Sequence, residues 1–264
     1  MKIGFIGCGN MAKAIIAGLI KMNTFLPEEI IASDNSEKAL SDAKNMYGIN
    51  TTVNNSELVL ESEMILLAVK PQVIASVINE ICDTVSENKI IISIVAGQSI
   101  DRIESLFGRN IKLIRTMPNT PALCGEGMTA VCANGNVTDV ELAYALKILS
   151  SFGKAEVVPE KLMDAVVAVS GSSPAYVAMF IEAMADAAVA EGMPRAQAYT
   201  FAEQAVYGTA KLLIDTKMHP GELKDMVCSP AGTTIEAVRV LEEKGMRSAV
   251  IEAMRTCANI SSKL

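Results

Sequence analysis

The sequence predicts an α/β chain: a doubly wound, mainly parallel sheet over residues 1–158, then an all-helical domain over residues 159–264. Three observations predict it. Short β-rich runs alternate with helical stretches through the first half. A glycine loop, GFIGCGNMA at 4–12, stands between the first strand and the first helix. Strand signals stop near Lys161, and every apolar pattern beyond it has helical period.

In order along the chain, KIGFIGCG reads as a strand and turn, and MAKAIIAGLIKM as an amphipathic helix. EIIAS is a second strand, and SEKALSDAKNMY a charged helix opened by a Ser36 cap. MILLAV at 64–69 is a buried strand, followed by KPQ and a helix through about Ile81. KIIISIVAG is a strand and SIDRIESLF a short helix opened by Ser99 or Asp101. NIKLIRTMPN and MTAVCAN are two more strands, and DVELAYALKILSSFG is the helix after them. In the second half, Pro194, Pro220 and Pro230 punctuate helical stretches at places where a new helix can start. The Ala-rich segments AMFIEAMADAAVAEG and FAEQAVYGTAKLLI are apolar around much of their circumference. A domain of roughly 100 residues has little interior to hide them in, so they are expected to form an interface between subunits.

Composition narrows the function. Half of the residues are hydrophobic, there is no tryptophan, and 15 methionines serve as core filler. Apolar runs such as MILLAV are too short to span a bilayer, and MKIGFIG lacks the layout of a signal peptide. A soluble, cytoplasmic protein with no membrane partner is expected. The net charge of −7 argues against nucleic acid. The six cysteines show no CxxC and no histidine partner at zinc spacing, so no metal is expected. Cys8 and Cys228 sit inside glycine loops, where one could be reactive.

The glycine loop carries the first chemistry. In G-x-G-x-x-A, Gly7 allows a tight turn, Gly9 lets the backbone approach a pyrophosphate, and Ala12 permits close helix–strand packing. The pyrophosphate then caps the free amides of the helix. The expected dinucleotide contacts therefore begin with Gly7, Gly9, Asn10, Met11 and Ala12. Asp34 lies about 25 residues beyond Gly9, where an acid holds an adenosine ribose and repels a 2′-phosphate. Ser33, Asn35 and Ser36 could donate to such a phosphate, but no arginine stands in this loop. The sequence leans to NADH, while a turn capped by Asp and Ser explains the same letters. AVKPQ at 68–72 and VAG at 95–97 lie at the carboxyl ends of consecutive strands, which is the ligand edge of such sheets. Lys70 there faces either the cofactor or solvent.

RTMPNTPA (115–122), SGSSPAYV (170–177) and SPAGTTIEAV (229–238) offer hydroxyls and backbone amides, suited to a small carboxylate and one polar ligand atom. None holds a catalytic dyad. The single histidine, His219, sits in a KMHPGE loop where a capping or solvent role is expected.

Taken together, G-F-I-G-x-G-x-M-A, A-V-K-P-Q, R-x-M-P-N-T-P, S-G-S-x-P-A-Y and S-P-x-G-T-T-I-x-A-V resemble pyrroline-5-carboxylate reductase, in order and over nearly the whole chain. The departure is SDNS, where many members carry an arginine. The resemblance implies a Rossmann domain followed by a helical dimerisation domain, with dimers commonly assembling into decamers. It implies an oxidoreductase acting on a CH–NH group: NAD(P)H-dependent reduction of Δ1-pyrroline-5-carboxylate to L-proline. It places Asn55 on the adenosine side and Ala68, Lys70 and Pro71 on the nicotinamide side. The substrate loop becomes Ser229, Gly232, Thr233 and Thr234, with Thr234 at the ring nitrogen, and the site is expected between domains. A β-hydroxyacid dehydrogenase is the rival reading. It counts against that rival that AVSGSSPAYVAMFIEAM lacks the lysine such enzymes use as proton donor. A second rival is a non-enzymatic dinucleotide sensor.

Overall fold

The computed structural model describes residues 2–263. In chain order its elements begin β1 (Ile3–Ile6), α1 (Asn10–Lys21), β2 (Ile30–Ser33), α2 (Glu37–Tyr47), β3 (Asn50–Thr52), α3 (Asn55–Glu61) and β4 (Met64–Leu67). They continue with α4 (Ile74–Ile81), β5 (Ile90–Ser93), α5 (Ile100–Phe107), β6 (Lys112–Met117), β7 (Gly127–Ala133), α6 (Asp139–Leu149) and β8 (Gly153–Val157). The strands form one sheet in the order β3-β2-β1-β4-β5-β6-β7-β8. Every neighbouring pair is parallel except β6 with β7. The expected doubly wound, mainly parallel sheet is therefore present.

β1, β2, β4 and β5 are buried at every residue, which is why they read as unbroken aliphatic runs: helices cover both faces of the sheet. One face packs Phe5 and Phe152 against Ile15, Ile16 and Leu19 of α1. The other packs Ile65 and Leu67 against Ile78 of α4 and Ile103 of α5. Ser36 caps α2 and Ser99 caps α5, each hydroxyl accepting an amide three residues on, as their positions predict.

Three elements go beyond the sequence reading: β3, α3 and β8. Both strands are sheet edges with exposed or half-buried residues, so they lack the apolar signal that marks the inner strands. Gly153 makes β8 possible. Its φ is +150°, and a Cβ there would fall on the backbone of Gly127 in the neighbouring strand. Gly153→Ala is expected to destabilise the fold by about 3 kcal/mol or more, read as a lower denaturant midpoint at unchanged slope.

After Val157 the described residues form only helices among their regular elements: α7 (Met163–Val166), a π-helical turn (Val167–Gly171), α8 (Ser173–Ala190), α9 (Arg195–Thr216), α10 (Pro220–Val227), α11 (Thr233–Glu243) and α12 (Met246–Ser261) follow a short 3₁₀ turn (Glu160–Leu162). The compact units divide elsewhere, into Met1–Gly171 with Cys257–Leu264, and Ser172–Thr256. The division falls at Gly171 rather than 158 because α7 and the π turn pack with the sheet. Met163 joins the core of β4 and β5, and Asn119 Nδ2 donates to the Ser170 carbonyl at 3.0 Å. Ser261 Oγ donates to Asp164 Oδ1 at 2.7 Å, fixing the C-terminal segment to the same unit.

Within the second unit, α8 and α9 pack on each other. Ala185, Ala198 and Ala202 are buried there, while Phe180, Phe201, Tyr207 and Ile214 are exposed. Pro194 precedes α9 and Pro220 opens α10. Pro230 instead lies in a turn ahead of α11. The last helical stretch breaks at Gly245, with φ +74°, into α11 and α12.

Candidate active site

Gly7 follows β1 with φ +98°, and a Cβ there would lie 2.5 Å from the Ala68 carbonyl oxygen. The glycine loop thus lies directly against the end of β4. Gly9 caps α1 with extended backbone, no side chain caps the helix, and no acid stands in its first turn. Its leading amides are open to an anion, and nothing lies within 4 Å of where a Gly9 Cβ would be.

A cavity of about 360 Å³ opens beside this loop. Among the expected cofactor residues it is lined by Gly7, Gly9, Ser33, Asp34, Asn35, Asn55, Ala68 and Lys70. Asn10, Met11, Ala12 and Pro71 do not line it. Asn10 is the first, exposed residue of α1, Met11 is half-buried, and Ala12 is buried against the core, which fits the packing role derived for it. Pro71 opens a short 3₁₀ turn (Pro71–Val73) capped by the exposed Lys70. An open helix terminus, a glycine without a Cβ and a cavity at the carboxyl ends of β1, β2 and β4 fit a dinucleotide.

Asp34 already has partners. Its Oδ2 accepts from the Cys8 amide at 2.8 Å and its Oδ1 from the Ser36 amide at 2.8 Å. The carboxylate therefore ties the glycine loop to the β2–α2 turn, as the turn-capping reading expects. Ser33 is fully buried, and its hydroxyl donates to Asn55 Oδ1 at 2.6 Å. Asn35 is exposed.

The cavity also has a wall that the motifs did not predict: Val73, Ser76, Val77 and Glu80, contributed by α4 and the turn before it. The i, i+4 spacing of Ser76 and Glu80 puts these two polar groups on one face of α4.

The second cluster lies in the helical unit. Ser229, Pro230, Ala231 and Gly232 form a turn closed by the Gly232 amide on the Ser229 carbonyl at 3.0 Å. Ala231 adopts φ +56° there, a conformation that costs a side-chain-bearing residue about 1 kcal/mol or more. Gly232 caps α11 without any side-chain cap. Thr233 and Thr234 are its first two residues, Thr233 exposed and Thr234 half-buried. The turn thus presents open amides beside three hydroxyls. His219 caps α10, its Nδ1 accepting from the Gly221 amide at 3.1 Å, as its loop position predicts.

None of the six cysteines, all among the described residues, is in a disulfide. Cys8 is 1% exposed, and burial pushes its thiol up from the ordinary range, with Lys13 partly opposing. Burial likewise raises Cys132 to about 11. Both stay protonated and shielded, so neither is a nucleophile at neutral pH. Cys124 is exposed. Native protein treated with a thiol-alkylating reagent is expected to label Cys124 first and to leave Cys8 and Cys132 unmodified until unfolding, as peptide mapping would show.

Known proteins match this arrangement along the full chain. A family model for pyrroline-5-carboxylate reductase dimerisation matches residues 160–264, and one described as NADP oxidoreductase coenzyme F420-dependent matches residues 2–97. The pyrroline-5-carboxylate reductase of Escherichia coli strain K12 is 53% identical over 263 residues, covering 100% of this chain and 98% of the relative. A solved pyrroline-5-carboxylate reductase from Coxiella burnetii is 34% identical with a TM-score of 0.93, covering 99% and 97% of the two chains. The Plasmodium falciparum pyrroline carboxylate reductase, solved with NADP bound, is 32% identical with a TM-score of 0.91, covering 100% of this chain and 97% of that one.

Proposed function

The chain belongs to the pyrroline-5-carboxylate reductase family, and on that premise we propose that the glycine-loop cavity and the Ser229–Thr234 turn hold the two reactants of its reaction. The enzyme is an oxidoreductase that reduces Δ1-pyrroline-5-carboxylate to L-proline with NAD(P)H, the last step of proline biosynthesis. The division of labour rests on one shared feature: α1 and α11 each begin on a glycine with no side-chain cap. An acidic protein of net charge −7 thereby offers two sets of backbone amides to anions, one suited to a pyrophosphate and one to a carboxylate.

The bound nicotinamide supplies the hydride for the cyclic C=N bond. Gly7, Gly9 and the amides of Asn10 and Met11 hold the pyrophosphate, and Ala12 keeps α1 close to the sheet. Ala68, Lys70 and Pro71 flank the nicotinamide, while Ser33, Asp34, Asn35 and Asn55 face the adenosine. On the substrate side, Ser229, Gly232 and Thr233 bind the carboxylate, and the Thr234 hydroxyl is the catalytic contact to the ring nitrogen. The imine takes its proton from solution, so positioning replaces acid–base groups, which is worth about 7–11 kcal/mol at best. Oxidation of NADPH or NADH that depends on added pyrroline-5-carboxylate tests this reading. A protein that binds the coenzyme but shows no such oxidation is a sensor instead.

Asp34 lines the cavity beside Ser33 and Asn35, and an acid at that position disfavours a 2′-phosphate. NADH is expected to be used at a kcat/KM at least comparable to that for NADPH. A tenfold or greater preference for NADPH would remove the argument from Asp34.

The family model names a dimerisation region at 160–264, and we propose a homodimer through α8 and α9, with dimers associating into a decamer in the cytoplasm. Contrary to the expectation from short runs, the helical stretch Glu160–Ala190 is long and apolar enough, by length and composition alone, to cross a membrane. Its exposed apolar residues are assigned to the dimer interface, not to lipid or nucleic acid. Detergent-free light scattering is expected to give a stable oligomer, and a detergent requirement would overturn this assignment.

A further inference from the structure

Two groups grip the side-chain amide of Asn55, and only one of them can dictate which way it faces. Asn55 Oδ1 accepts from the buried Ser33 hydroxyl at 2.6 Å, and Asn55 Nδ2 donates to Glu80 Oε2 at 2.8 Å. A serine hydroxyl both donates and accepts, so Ser33 would satisfy either face of the amide. An ionised carboxylate only accepts, so Glu80 permits only the N–H₂ face toward itself. The next residue of α3 adds a second hold, because Ser56 Oγ donates to the Glu80 backbone carbonyl at 3.2 Å. Asn55 and Glu80 both line the coenzyme cavity.

We propose that Glu80 is a positioning residue for coenzyme binding: it fixes the orientation of the Asn55 amide, and so decides which donor and which acceptor that amide offers at the adenosine wall. The proposal rests on the reading of Asn55 as an adenosine contact. Glu80 is exposed on α4, outside the cores that hold the sheet together, so its replacement leaves the fold standing.

The test uses the full-length enzyme with Glu80→Ala, Glu80→Gln, Asn55→Ala and the Asn55→Ala/Glu80→Ala double variant. KM and Kd for NADH and NADPH are measured beside kcat and KM for pyrroline-5-carboxylate. Glu80→Ala is expected to raise KM for both coenzymes by about 5- to 10-fold, the effect of one misdirected hydrogen bond. The saturated kcat and the imino-acid KM stay within twofold, a split that general loosening of the fold would not produce. Glu80→Gln offers a donor as well as an acceptor and is expected to raise coenzyme KM at least threefold. The double variant is expected to be no worse than Asn55→Ala alone. Wild-type coenzyme KM in either Glu80 variant overturns the proposal and leaves the adenosine reading standing. So do additive losses in the double variant, because Glu80 would then act without Asn55. Wild-type coenzyme KM in Asn55→Ala removes the adenosine reading itself.

Discussion

Gly7→Ala is expected to lower kcat/KM for the coenzyme by about 100-fold or more, the cost of displacing a binding wall by an ångström. The residue sits at φ +98°, where a Cβ costs about 1–2 kcal/mol in backbone strain. That Cβ would also stand 2.5 Å from the Ala68 carbonyl oxygen and 3.1 Å from Val69 Cγ1. Relief requires the loop after β1 to move away from the end of β4, and both segments line the same cavity. The Gly7 amide also donates to the Ser33 carbonyl at 2.8 Å, so the shift reaches the adenosine end. Part of the loss will be stability, since strain and steric clash act on the folded state. Gly9→Ala separates the two effects. Its Cβ would meet nothing within 4 Å, so it is expected to keep the wild-type unfolding midpoint while raising coenzyme KM, because the methyl occupies the space proposed for the pyrophosphate. Coenzyme titration by nicotinamide fluorescence, beside a thermal melt, measures both. Wild-type coenzyme affinity in Gly7→Ala would show that the turn is only structural.

What could be read from the letters follows burial. The inner strands announce themselves as aliphatic runs because both faces of the sheet are covered. β3 and β8 do not, since Asn50–Thr52 and Gly153–Val157 sit at edges with polar side chains outward. α3 is only 7 residues long, about two turns, too short to show a helical period. Its cap was nevertheless readable: the Asn54 side chain accepts from the Glu57 amide at 3.1 Å, the N-x-x-E signature of a helix start. The glycine loop proposed to hold the coenzyme was legible from physics alone, because a glycine pair between strand and helix has one strong use. Glu80 was not, since its meaning depends on Asn55, 25 residues away in sequence. Thr234 came only through family resemblance. A lone hydroxyl without a histidine or carboxylate partner carries no pattern of its own, and what the structure adds is its place at the open end of α11.

That place makes Thr234→Ala the second large effect. The variant is expected to lose about 10- to 100-fold in kcat/KM for pyrroline-5-carboxylate, equivalent to about 1.4–2.7 kcal/mol for one oriented hydrogen bond. Coenzyme KM should not change, because the glycine loop and the cavity lie in the sheet unit and Thr234 in the helical one. Stability should not fall either: no side chain caps α11, and alanine has the higher helix propensity. Thr234→Ser keeps the hydroxyl at the same helical position and is expected to recover most of the rate, whereas Thr234→Val keeps the shape without it and should behave like alanine. The pH dependence of kcat/KM should run parallel in wild type and Thr234→Ala, since a neutral hydroxyl adds no titrating group and the imine collects its proton in solution. Steady-state kinetics unchanged by Thr234→Ala would take the ring nitrogen away from this hydroxyl. The carboxylate would then be left to the amides of α11, and orientation of the C=N bond would have to come from the coenzyme side alone.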